Sequence, residues 1–180
     1  MDKAVQARYG CIMKGTILVA YATRYGSTAE VAEVVGDELR KGGARVDVRP
    51  VDEVQDLSSY GAVMVGSPIY MGKWLPEAQV FVERHQSLLR DIPVVYFAVG
   101  LTAISKTSDD SKRAEASMDQ VRMLVTPADV GVFPGKLESD CLSPTDRTIV
   151  KLIKAGSGDF RDWEIIRAWA QDVLSKIRED

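Results

Sequence analysis

Cysteine, histidine and long apolar runs are nearly missing from this chain. Two cysteines, Cys11 and Cys141, and a single histidine, His85, stand among 180 residues. No CxxC or Cys–His spacing joins them, which excludes a zinc centre and a dithiol redox motif and leaves free thiols in a reducing compartment as the expectation. No apolar run approaches the roughly 20 residues that cross a bilayer. The opening segment MDKAVQARYGCIMKG lacks the charged-then-apolar order of a secretion signal, so a cytoplasmic protein is expected. Charge of one sign is also scarce: 23 basic against 26 acidic side chains give a net charge of -3. Without a basic stripe, nucleic-acid binding is not expected.

Apolar periodicity is what the chain does have. With 46% hydrophobic residues over this length, it can bury the core of one ordinary domain but not of two. Residues 1–14 read as an arm and 15–180 as one domain. The stretches TILVAY, GAVMVGSP and IPVVYFAVG are continuous and rich in β-branched residues, as strands covered on both faces must be. ARVDVRPV alternates like a strand, and a fifth is expected around ADVGVFPGKL. Between them, apolar residues return at helical spacing: Val31, Ala32, Val35 and Leu39, then Ala78, Phe81, Val82, Leu88 and Leu89. Further helices are expected over about 109–125 and 162–178, with an irregular segment over 138–158 between the last strand and the last helix. Strands interleaved with helices define a doubly wound α/β sheet. Ligands of such sheets lie beyond the carboxyl ends of the strands. The loops 22–28, 67–73 and 100–107 should therefore line one pocket.

The first of these loops passes from buried strand to helix through ATRYGST. A helix N-terminus offers unpaired N–H groups and about half a positive charge, which suits a phosphate. Thr23, Ser27 and Thr28 add hydroxyls, and Gly26 lets the backbone approach an anion. Ser27-Thr28-Ala29-Glu30 equally fits a capping box, in which Ser27 closes its own helix. Neither GxGxxG nor GxxxxGK[ST] occurs there, which narrows a phosphate ligand to a mononucleotide without a metal requirement.

Thr23-Arg24-Tyr25-Gly26-Ser27-Thr28 resembles the phosphate loop of the flavodoxins, T/S-x-T-G-x-T, with Tyr25 where a small hydroxyl residue is usual. GSPIYMGKWLPEAQVFVERH, residues 66–85, is similar to the flavin-binding second loop of flavodoxin-like proteins, more closely to that of the menaquinone-dependent protoporphyrinogen IX dehydrogenase family. PTDRTIVKLIKAGSGDFRDWEIIRAWA, residues 144–170, resembles the C-terminal region of that family.

The resemblance implies a five-stranded parallel sheet in the order 2-1-3-4-5 and FMN as cofactor. Thr23 to Thr28 would hold the phosphate, while Pro68, Ile69, Tyr70, Met71, Gly72 and Lys73, with Gly100, Leu101 and Thr102, would enclose the isoalloxazine ring. Tyr70 and Trp74 could stack on the ring or simply pack. Lys73 could favour reduced flavin through its charge or face solvent, and Arg24 could pair with the phosphate or point outward. Gly72 is the residue best able to turn its peptide with redox state.

The third loop lacks the G-D-x-x-Y arrangement of small electron carriers, whose surfaces are usually strongly acidic. An oxidoreductase passing electrons from an organic donor to a quinone or other acceptor, with a porphyrinogen among the possible substrates, is therefore the expected function. The alternatives are an electron-transfer flavodoxin meeting a redox protein, and a domain that has lost its cofactor. Residues 142–153 could make peripheral membrane contact or cover the sheet. His85 reads as structural, and no side chain declares itself an acid, base or nucleophile.

Overall fold

The computed structural model describes residues 15–100, 108–138, 141–152 and 157–179. Five parallel strands form the sheet: β1 (Thr16–Tyr21), β2 (Val46–Pro50), β3 (Tyr60–Tyr70), β5 (Val94–Gly100) and β6 (Asp129–Pro134). Their order is β2-β1-β3-β5-β6, and a two-residue β4 (Lys73–Trp74) pairs antiparallel with the end of β3. This is the expected flavodoxin-like order, with β4 added to the count.

Burial explains the continuous apolar runs. Along β1, Leu18 and Ala20 join one core while Ile17 and Val19 join the other. No position on the strand can therefore be polar without facing an apolar layer. Helices α1 (Ser27–Lys41) and α6 (Trp163–Glu179) cover one face through Val31, Val35, Leu39, Ile166, Ala170 and Val173. Helix α2 (Pro76–Leu89), with Ala78, Phe81 and Val82, and α4 (Asp119–Leu124), with Val121, cover the other. Each fully buried Val or Leu contributes roughly 1.5–3 kcal/mol relative to exposure.

Three expectations change. The helix expected over 109–125 is two, α3 (Ser108–Ala116) and α4; at the break Ser117 Oγ donates to the Ala114 carbonyl and Met118 is buried. Strand β3 does not halt at Pro68 but runs to Tyr70. β1 pairs no further than Gly66, so the proline's missing N–H falls where that neighbour has ended. The segment over 138–158 is not irregular throughout: it holds α5 (Pro144–Leu152), and its end supplies β8 (Gly158–Asp159), which pairs antiparallel with β7 (Lys136–Leu137). Of the two readings of Trp74, packing holds: it is a core residue, 2% exposed and edge-on to Tyr96 at 5.3 Å. His85 is buried with its ring tilted on Phe81 at 4.9 Å; burial, and then the Arg84 charge, hold it below the ordinary histidine value.

Gly66 sits where β3 crosses the buried Phe97 of β5. A Cβ there would lie 2.0 Å from the Phe97 ring, and the ring is fully buried. G66A should lower the unfolding free energy by about 1–3 kcal/mol through overpacking, measured by urea denaturation; an unchanged midpoint would show that the two strands can separate without loss.

Candidate functional site

At the carboxyl end of β1 the chain turns at Gly26, whose φ of 85° lies in the left-handed region that a side chain disfavours. Gly26 is the N-cap of α1, and no side chain among the described residues caps the helix. The capping box is therefore not formed. Ser27 is already helical, and its Oγ accepts the Lys136 N–H at 3.2 Å; Glu30 turns away to Arg161, 2.9 Å distant. Thr23 Oγ1 accepts the Gly26 N–H at 3.0 Å and fixes the turn. The first amide to find an intrahelical acceptor is that of Glu30, on the Gly26 carbonyl at 3.1 Å. The amides ahead of it remain the open donors of a helix start. Beside them Thr28 is 1% exposed, and its Oγ1 has no hydrogen-bond partner among the described residues.

This turn borders a cavity of about 490 Å³, within the range of cofactor sites. Thr23, Arg24, Tyr25, Ser27 and Thr28 line it from the first loop, and Pro68, Ile69, Tyr70, Met71 and Gly72 from the second, with Gly100 at the end of β5. Gly26 shapes the turn without lining the cavity. Lys73 is exposed on β4 and does not line it either. Leu101 and Thr102 lie outside the described residues. Met71 and Gly72, with φ of 50° and 78°, make the two-residue loop between β3 and β4, as a primed hairpin turn requires. Ser67 Oγ secures this hairpin by accepting the Leu75 N–H at 2.9 Å.

Sequence reasoning missed the remaining wall, formed by Val99, Gly135, Lys136, Leu137, Leu142, Asp146 and Val150. Most of it comes from β7 and α5. The signal for α5 was Ser143-Pro144-x-Asp146: Ser143 Oγ accepts the Asp146 N–H at 3.1 Å, and proline takes the first helical position. The β7–β8 pair docks on the start of α1 through Lys136, whose N–H meets Ser27, and through Arg161, just past β8, which meets Glu30. Arg161 fastens it from below, bonded to Asp159 and stacked 4.5 Å over Trp163.

Asp146 draws both loops together. Its carboxylate, with a side chain 6% exposed, accepts from Arg24 Nη2 at 3.0 Å and Nε at 3.2 Å, from Tyr70 Oη at 2.6 Å, and from Tyr25 Oη. The Arg24 guanidinium lies 4.3 Å over the Tyr70 ring. Arg24 thus commits Nε and Nη2 to Asp146 while its side chain stays about 40% exposed. Tyr25, in the place of a small hydroxyl residue, serves the same carboxylate and accepts the Ser143 N–H at 3.3 Å. The hydrogen bonds from Tyr25 and Tyr70, then the Arg24 pair, hold Asp146 well below the usual carboxylate range. The bond to Asp146 pushes the Tyr70 phenol up.

The flavodoxin domain matches residues 18–163, and the chain belongs to that family. It is 26% identical over 172 residues to the protoporphyrinogen IX dehydrogenase [quinone] of Escherichia coli strain K12, covering 87% of this chain and 93% of that protein. It is 25% identical over 173 residues to the enzyme of the same name from Leishmania major, covering 88% and 74%. Among solved structures, a Streptococcus pneumonia TIGR4 flavodoxin superposes with a TM-score of 0.60 at 20% identity, over 90% of this chain and 99% of that one.

Because the folded state depresses the Asp146 pKa, its contribution to stability is complete above the unfolded value of about 3.9. It is lost as pH falls through the folded value. Urea unfolding followed from pH 5 to 2 should therefore show a steeper loss for wild type than for D146N; parallel curves would mean that the carboxylate gains nothing from its partners.

Proposed function

We propose that this protein is an FMN-dependent oxidoreductase of the quinone-linked dehydrogenase type. The observation that carries the reading is the buried, unpartnered Thr28 hydroxyl beside the open amides of α1, inside the cavity. A buried hydroxyl without a partner costs about 1–3 kcal/mol. Nothing in the surrounding apolar core repays that cost, whereas a phosphate ester at the helix start would satisfy hydroxyl and amides together.

The residues present fit FMN in kind. The helix start, Thr28 and the turn set by Thr23 and Gly26 would hold the phosphate. The second loop and Gly100 provide largely apolar walls for a flat ring, with Tyr70 held in one orientation. Arg24 is offset by Asp146 and Lys136 is paired with Glu138 at 2.6 Å, so the pull on an anion comes from the helix start rather than from a side-chain cation. When bound, FMN would supply the electron-transfer chemistry. The protein binds, orients and excludes water. Electrons would pass from an organic donor to a quinone, as the names of the relatives suggest; a porphyrinogen is the donor those names point to. Among the described residues no helix is long and apolar enough to cross a membrane, so a quinone acceptor would be met from the surface.

Titrating apoprotein with FMN, followed by flavin fluorescence and the visible spectrum, should give one site per chain. T28V should weaken binding about tenfold, the worth of a hydrogen bond to a charged group. The apo form of T28V should unfold no earlier than wild type, since the substitution removes an unsatisfied group. No uptake at micromolar FMN, or equal affinity for wild type and T28V, would remove the basis of the assignment.

A further inference from the structure

Asp146 stands out because so many donors from so far apart in sequence end on one carboxylate. Arg24 comes from the loop after β1, Tyr70 from the end of β3, and the acceptor itself from the first turn of α5. Arg24 and Tyr70 would be separately mobile without it. Arg24 is about 40% exposed, and a long guanidinium side chain loses considerable rotamer freedom when fixed. With the carboxylate in place, the guanidinium is held at two nitrogens and lies flat over the Tyr70 ring, and the ring hydroxyl is tied at 2.6 Å. The ring can then neither rotate nor swing away from the cavity it lines.

The arrangement also concerns charge. Arg24 lines the cavity from within the first loop. Unpaired, it would place a full cation beside any bound flavin and favour the reduced, anionic form. Asp146 lines the same cavity, and its opposite charge offsets the guanidinium at hydrogen-bond distance. Substituting either partner alone unbalances the wall, in opposite senses.

We propose that Asp146 is the positioning residue of the flavin site: from α5, it fixes Arg24 and Tyr70 as one charge-balanced wall and thereby sets how strongly the site favours reduced over oxidised cofactor. This rests on the FMN reading above. Asp146 lines the cavity, but its carboxylate is taken up by Arg24, Tyr70 and Tyr25, so its role is exerted through those side chains.

The test compares wild type, D146N, R24M and the double variant, each reconstituted with FMN, by the two-electron midpoint potential and the FMN dissociation constant. D146N leaves the arginine cation uncompensated and should raise the affinity for reduced relative to oxidised flavin by roughly three- to tenfold, the effect of one partly screened charge. R24M leaves the carboxylate uncompensated and should lower that ratio by a similar factor. The double variant should return close to wild type in potential while binding FMN more weakly, because Tyr70 has lost its clamp. Mere structural damage would not produce shifts of opposite sign that cancel. Should D146N not fold, R24M carries the test alone through its downward shift. Shifts of the same sign, or none in variants that hold FMN, overturn the proposal. Wild type that takes up no FMN would instead overturn the function reading, and this one with it.

Discussion

The left-handed turn at Gly26 is the constraint around which the site is assembled. It brings the chain from a strand buried on both faces into a helix with no side-chain cap. A helix start normally satisfies its first amides with a nearby hydroxyl or carboxylate. Here the available side chains are used elsewhere: Thr23 braces the turn, Ser27 holds the β7–β8 hairpin and Glu30 pairs with Arg161. The consequence is a concentrated set of unused donors, Thr28 included, at the place where a doubly wound sheet presents its ligands.

Sequence and structure agree most closely where burial alone decides the outcome. Strand β1 could be read because both its faces are apolar, and α1 because Val31, Val35 and Leu39 recur along one side. The first two loops were legible as cavity walls because topology brings the carboxyl ends of parallel strands together. What periodicity could not show was tertiary capping. Ser27 fits a capping box by local pattern, yet the backbone N–H of Lys136 on β7 claims its hydroxyl. Whether Trp74 stacks or packs stayed open in the sequence because the hairpin that turns it into the core is only two residues wide.

Asp146 was invisible for a different reason. A carboxylate in a segment of mixed polarity gives no sign of burial, and its partners lie 76 to 122 residues away. Only the short pattern Ser143-Pro144-x-Asp146 announced a helix there. Once the helix exists, its third position points the carboxylate at the cavity, while the serine hydroxyl, rather than the aspartate, accepts the bond that caps the first turn. Tyr25 then becomes intelligible. In a phosphate loop its ring is too large for a simple hydroxyl's part, but its length lets the phenol reach Asp146 and the backbone of Ser143.

These two features, an uncapped helix and a buried carboxylate, divide the electrostatic work of the cavity. The helix start attracts negative charge through fixed backbone dipoles, which do not titrate and do not move. The Arg24–Asp146 pair, by contrast, holds a mobile cation in check. If Arg24 bound the phosphate itself, the affinity for the anion and the polarity of the ring wall would be tied to one side chain. Pairing it with Asp146 separates them, so that anchoring depends on the first loop and redox balance on the contact between that loop, Tyr70 and α5. On that division the redox balance of the site would rest on α5, the segment that sequence periodicity reads least well.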